Sequence, residues 1–371
     1  MTKQGSFKRA ARERARATGQ RYTQARADLE VANRQEFIHS RPFEQVTLKA
    51  HLEEHYAIRI HSILPIDDDP ATRPDGSWPG HYPSTLVVKH TDGQHWIARI
   101  FSSSADRVSR VQGDAEILQF LASQDFPAER VAHDDPVTVL DGKGIIVTKF
   151  IDGGRPSSPA VWYELADLLG RLHTLPPAGG AVARDGGAEE HDGGFHVGRP
   201  KEDLAAAMSF LISVEDQVNA AAREKFEWLR DQVENADDAE GLPEALTHGN
   251  YHPWAAVGIP GNVSIVGWAG SGRGPRLPAL AWLLRTAAEH NATQNVVAVM
   301  HGYSKHLRLT DEELDRLPSI LNMRALWLEC LGFRMTLNDG RVPAMDEGWM
   351  QPKSLERAER VAAQAIAAAR N

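Results

Sequence analysis

The 371-residue sequence predicts an α+β protein of two lobes, a small β-rich lobe followed by a larger helical one. Three observations carry this. Strand-like runs separated by turn dipeptides fill the chain up to residue 150. Apolar residues at helical spacing dominate from Ala160 onward. The length exceeds one average domain and suits two lobes sharing a cleft.

The first segment stands apart. Residues 1–29 hold eight Lys/Arg against Glu13 and Asp28, a local balance of +6, whereas the whole chain carries −9, which leaves −15 on the remainder. Ser6 to Ala17 is rich in helix formers and stops at Thr18-Gly19, and a second short helix starts near Tyr22 with Thr23 as its cap. Too few apolar residues are present for a core, so residues 1–36 are read as a basic helical tail. Such a tail suits an acidic partner, nucleic acid or the chain's own acidic body.

The β-rich lobe is expected over 37–150. Leu48, Leu52 and Tyr56 mark a helix between Val46 and Ile58, and Ile58 to Pro65 reads as a strand. Asp67 to Pro83 is rich in Asp, Pro and Gly, so a loop is expected there. Thr85-Leu-Val-Val-Lys and His95 to Phe101 flank Asp92-Gly93, a hairpin pattern. Val111 to Ser123 carries Ile117, Leu118 and Leu121 on one helical face. Val137 to Leu140 and Gly144 to Phe150 form a second strand pair across Asp141-Gly142.

The helical lobe is expected over 151–371. Ala160 to Leu175 is helical and ends at Pro176-Pro177. Residues 176–200 are Gly-rich with few large apolar side chains and read as an insertion. Helices follow at 201–212 and 214–234, a strand-and-loop block at 246–270 interrupts them, and helices resume from Ala279. An apolar fraction of 42% and a charged fraction of 25% exclude global disorder, and the lone Cys330 excludes an internal disulfide. No run approaches the ~18 apolar residues of a membrane span. The basic start lacks the apolar core of a secretory signal. A cytoplasmic protein with no membrane partner is expected.

The block Leu246-Thr-His-Gly-Asn-Tyr-His-Pro-Trp-Ala-Ala-Val resembles the catalytic loop of the aminoglycoside/choline phosphotransferase family, whose pattern is His-Gly-Asp-x-His-Pro-x-Asn. Ile265-Val-Gly-Trp lies where that family has a metal-binding Asp before Trp. Leu165 to Pro176 resembles its Gly-x-Leu-His helix, and the stretch from Arg273 to Leu284 its usual continuation. His95-Trp-Ile-Ala-Arg-Ile is similar to the strand bearing the phosphate-contacting cation, here Arg99, and Glu116 stands where that cation's partner carboxylate belongs. Val147-Thr-Lys-Phe-Ile-Asp-Gly resembles the hinge between lobes, which makes Thr148 and Phe150 candidate nucleotide neighbours. The resemblance runs in order from about residue 45 to 330. It implies a bilobal, protein-kinase-like fold and an ATP-dependent transfer of phosphate to a small hydroxylated molecule.

The residues argue against that chemistry. Phosphoryl transfer needs a carboxylate to orient the acceptor hydroxyl, with Asp and Asn ligands for magnesium. The base position holds Asn250, whose amide accepts no proton at neutral pH. The Asn-ligand position holds Ala255, and the metal-Asp position holds Gly267. No Asp or Glu lies between Glu244 and Glu289. Loss of one well-placed electrostatic group costs about 3–4 kcal/mol of transition-state stabilisation.

Trp254 is large enough to fill space otherwise open to phosphates. His248 and His252 read as structural rather than as a metal pair, because Gly249 and Pro253 break any helix that would present both. Arg99 reads equally as a phosphate contact or as a lobe-stabilising ion pair. The expectation is a pseudokinase that binds a small molecule or a protein in its cleft. ATP binding stays open and magnesium is not expected. The alternative is an active phosphotransferase with relocated metal ligands, its substrate a hydroxylated and, given the acidic body, cationic molecule.

Overall fold

A computed structural model of the chain describes residues 45–66, 84–103, 105–154, 156, 159–185, 199–289 and 293–370. The basic tail, the Asp67-to-Pro83 loop and the centre of the Gly-rich insertion lie outside these residues. The chain divides into two compact units, 1–63 and 64–371.

In the first unit, helix α1 (Gln45–Tyr56) buries Leu48, Leu52 and Tyr56, the four-residue spacing read from the sequence. Ala57 turns the chain out of the helix with φ of 53°, and Glu53 accepts the Ile60 amide at 2.7 Å where strand β1 (Ile60–Pro65) begins.

The second unit opens with the sheet. Strands β2 (Ser84–His90) and β3 (His95–Ser103) form the expected hairpin, with Lys89 opposite His95 and Thr85 opposite Arg99. Strands β4 (Val137–Leu140) and β5 (Lys143–Lys149) are joined by Asp141-Gly142, both in the left-handed region as a tight hairpin turn requires. β5 also pairs with β3, so the antiparallel order within this unit is β2-β3-β5-β4. Helix α2 (Ala105–Ser123) packs on β5. It starts six residues earlier than expected, because its first turn and a half lacks the apolar repeat that marks the rest.

The helical body comprises α3 (Val161–His173), α4 (Pro200–Ile212), α5 (Ala220–Glu234), α6 (Leu277–Glu289), α7 (Thr293–Ser304), α8 (Asp311–Ile320), α9 (Met323–Asn338) and α10 (Pro352–Arg370). Helix α5 begins later than the expected Val214. Asn219 caps it by accepting the Ala221 and Ala222 amides, and a short 3-10 turn occupies Glu215–Gln217. Thr310 and Glu313 cap α8 reciprocally. One apolar core joins α2, α3, α6, α7, α8 and α10, and a second joins α4, α5 and α9. Beside the second, the buried Lys225–Glu329 pair at 2.6 Å ties down the segment 344–350, with Lys225 donating to the Ala344 and Glu347 carbonyls. Two short ladders, β6 (Glu244–Thr247) with β9 (Gly272–Pro275) and β7 (Ala256–Ile259) with β8 (Asn262–Ile265), frame the block that bears the motif.

Helices α3 and α7 meet through two glycines. A methyl group on Gly302 would overlap the Tyr163 carbonyl oxygen, and one on Gly170 would lie 2.9 Å from the Tyr303 carbonyl oxygen. The helix crossing that positions α3 under the motif block therefore depends on the absence of Cβ atoms. Gly302→Ala is expected to lose about 1–3 kcal/mol in urea unfolding. Gly332→Ala, in α9 with open space around its Cα, should gain up to about 1 kcal/mol.

Candidate functional site

The motif loop is held from below by two buried aromatic residues. Tyr251 donates its hydroxyl to the Leu165 carbonyl in α3 at 2.7 Å, and Trp268 donates to the Ile265 carbonyl at 2.9 Å. Glu164 of α3 accepts the Gly261 and Val263 amides, fixing the β7–β8 hairpin on the same helix. Trp268 stands edge-on to both Phe126 and His248.

His248 is part of this scaffold. The Asn250 backbone amide can only donate, so Nδ1, 3.2 Å away, must accept. Nε2 then carries the proton and donates to the Val266 carbonyl at 3.1 Å. Both ring nitrogens are committed to the backbone and the ring is neutral; burial pushes its pKa down to about 4. His252 caps the 3-10 turn Pro253–Ala255 by accepting the Trp254 amide at 3.0 Å. Trp254 is 65% exposed and its ring stands edge-on to His252. No hydrogen bond joins the Asn250 side-chain amide to any described residue.

Arg99 has a different partner from the one expected. Its Nη1 donates to Glu129 Oε2 at 2.6 Å, with the two side chains 11% and 2% exposed. Glu116 cannot serve, because it lies on the exposed face of α2 and accepts the Ala181 amide at 3.3 Å. The inward acid of that helix, Asp114, is paired with Arg184 from the insertion. Arg184 also donates to the Arg110 carbonyl at 2.8 Å and the Ser271 carbonyl at 2.9 Å, and so links α2 to the turn before β9.

Glu129 gathers further donors. Thr148 Oγ1 donates to the same Oε2 at 3.0 Å, and the Gly267 amide donates to Oε1 at 2.8 Å. Thr148 is fully buried on this carboxylate. Phe150 continues the strand, its amide bonded to the His95 carbonyl and its ring edge-on to His95. The Glu129 backbone is fixed on both sides. Its amide donates to the Ile265 carbonyl at 3.0 Å, while the Lys149 amide donates to the Arg130 carbonyl at 2.8 Å. The segment Pro127–Arg130 thus stitches the sheet to the motif block and carries a carboxylate to the Gly267 loop. Sequence reasoning singled out neither Glu129 nor Arg184; with no Asp or Glu between Glu244 and Glu289, any carboxylate beside the motif block had to come from a distant segment, and Glu129 does.

The donor set does not suit a magnesium ion. Gly267 and Ala255 offer no side-chain oxygen, and both oxygens of Glu129 already accept hydrogen bonds from cationic or neutral donors. Gly267 has a φ of +81° in open space, so an aspartate there would fit by volume but strain the backbone. Among the described residues no group of three or more His, Cys, Asp or Glu is placed to hold a metal. No helix among them is long and apolar enough to cross a membrane.

His173, hydrogen-bonded to the Tyr303 hydroxyl at 2.9 Å, is likewise held neutral, its pKa pushed down to about 3 by burial with Arg276 nearby. Below pH 6.5 an unfolded chain protonates both histidines while the folded chain does not. Stability should therefore fall as pH drops from about 6.5 toward 4 for His248 and toward 3 for His173, by up to about 1.4 kcal/mol per pH unit for each. Urea unfolding across pH 6.5 to 5 measures the slope. His248→Gln should flatten it by one histidine's share, and an unchanged slope would contradict the assignment.

Comparison with known proteins places this geometry. The phosphotransferase enzyme family matches residues 79–314, well over half of the chain. Curated protein sequences give no match. Among solved structures, the chain is similar to amicoumacin kinase hAmiN in complex with AMP-PNP and Ca²⁺, at 12% identity and a TM-score of 0.55, covering 89% of this chain and 95% of that one. It is similar to spectinomycin phosphotransferase APH(9)-Ia at 13% identity and a TM-score of 0.51, covering 88% and 99%. The GDP complex of a mutant aminoglycoside 2'-phosphotransferase-IIIa gives 13% identity, a TM-score of 0.52 and coverage of 88% and 99%. At these identities the structures speak for the fold, an α+β kinase-like architecture. The chain belongs to the phosphotransferase enzyme family.

Proposed function

We propose that this protein keeps the fold of a small-molecule phosphotransferase without its phosphoryl transfer, and uses the region around the motif loop to bind a small molecule or a protein partner. One observation carries the reading. The three positions where the family pattern has acid or amide ligands hold Asn250, Ala255 and Gly267, and the carboxylate bonded to the Gly267 amide, Glu129, is neutralised by Arg99.

Transfer of a phosphoryl group requires a proton acceptor for the attacking hydroxyl and divalent charge on the phosphates. Asn250 supplies no base. His248 cannot substitute, since its acceptor nitrogen is occupied by the Asn250 amide and its other nitrogen by a carbonyl. At about 3–4 kcal/mol for each missing electrostatic group, restoring one position leaves most of the barrier in place.

The alternative, an active enzyme with relocated ligands, draws on Glu129, the acid that does come from a distant segment. Its carboxylate faces a guanidinium, a hydroxyl and an amide. A metal ligand requires free lone pairs facing a cation, so this environment favours the non-catalytic reading. The basic segment 1–29 is part of the same proposal, as a second surface for an acidic partner or nucleic acid.

Purified protein with Mg-ATP and a panel of amino sugars and amines tests the reading. No phosphorylated product above the uncatalysed background is expected, either from the native chain or from Asn250→Asp. Magnesium-dependent turnover that is lost on Asn250→Ala would end it.

A further inference from the structure

The donors that meet at Glu129 come from three separate segments: the Arg99 guanidinium from β3, the Thr148 hydroxyl from β5 and the Gly267 amide from the loop after β8. A guanidinium, a hydroxyl and a backbone amide converging within 2.6–3.0 Å of two oxygens is the chemistry of an oxyanion site. In this chain the oxyanion is supplied internally. The carboxylate arrives on a segment whose backbone is bonded on both sides, so it is delivered by the fold rather than by a long flexible side chain swinging in from the surface.

We infer that Glu129 is a built-in anion that closes a latent phosphate site formed by Arg99, Thr148 and Gly267. While the carboxylate is in place, the guanidinium is neutralised and two of the hydrogen-bond donors are occupied, so a phosphate group of inorganic phosphate, polyphosphate or nucleotide has nothing to gain there. With the negative charge removed, Arg99 is left buried and uncompensated, and the site takes a phosphate group to restore neutrality. Asp114 and Glu116 of α2 do not compete for the cation, because Asp114 is held by Arg184 and Glu116 by the Ala181 amide. This deepens the proposal above by naming what closes the same site. Its test reads equilibrium binding in the absence of magnesium, so it can fail while the absence of turnover stands, and the reverse.

Calorimetric titration of the full chain with tripolyphosphate and with inorganic phosphate gives the first arm. Glu129→Gln is expected to bind tripolyphosphate at least about tenfold more tightly than the native chain, with the gain abolished by adding Arg99→Gln. Equal affinity of the native chain and Glu129→Gln, or a gain that survives Arg99→Gln, overturns the inference. The second arm needs no variant. In native protein labelled with ¹⁵N at glycine, the Gly267 amide resonance should stay fixed as tripolyphosphate is added. A saturable shift of that resonance would show the donor to be open and would overturn the inference even if Glu129→Gln failed to fold.

Discussion

The Glu129 carboxylate is the point on which the arrangement of the motif block depends. A buried acid without partners would carry a desolvation cost of several kcal/mol, and this one is compensated by a charge and two hydrogen bonds from three segments. Through it β3, β5 and the Gly267 loop are fixed relative to one another. The backbone bonds of Pro127–Arg130 to Ile265 and Lys149 add a short ladder in the same place. Where the family pattern would use anionic side chains to hold a cation, this chain uses a cation to hold an anionic side chain. The sign of the centre is inverted relative to the family pattern, and the proposed loss of phosphoryl transfer rests on that inversion.

A second clamp acts in parallel. Arg184, from the start of the Gly-rich insertion, reaches Asp114 and the Arg110 carbonyl in α2 and the Ser271 carbonyl ahead of β9. The resemblance to kinases places the cation of β3 and a carboxylate of α2 in one pair. Here each has found another partner, and the two exchanges fit together: Arg99 needs no acid from α2 once Glu129 is present, and Asp114 needs no cation from β3 once Arg184 is present. Such replaced pairs keep α2 and the motif block in register.

Much of the fold was legible because it rests on local signals. The Asp92-Gly93 and Asp141-Gly142 hairpins, the Leu48-Leu52-Tyr56 repeat and the helix that stops ahead of Pro176 depend on neighbours a few residues away. The residue types at Asn250, Ala255 and Gly267 were also legible, since they are read from the sequence whatever surrounds them. The partner of Arg99 was not. Glu129 lies 30 residues from Arg99 and 138 from Gly267, in a short segment between helix and strand whose sequence, Pro-Ala-Glu-Arg, suggests an exposed turn. Its burial is a product of tertiary bridges that no window of residues contains. Arg184 was hidden in the same way, inside a Gly-rich stretch read as an insertion. Glu116 was misassigned because order along the chain cannot say which face of α2 points inward.

The coupling between Arg99 and Glu129 is the most direct measure of the inverted centre. A double-mutant cycle of Arg99→Gln and Glu129→Gln, followed by urea unfolding at neutral pH, isolates it. A buried, hydrogen-bonded pair that organises the block should show a coupling of at least about 1.5 kcal/mol, as close charge pairs in desolvated settings do. A coupling of about 0.5 kcal/mol or less, the value of a solvent-exposed ion pair, would contradict the role assigned to Glu129.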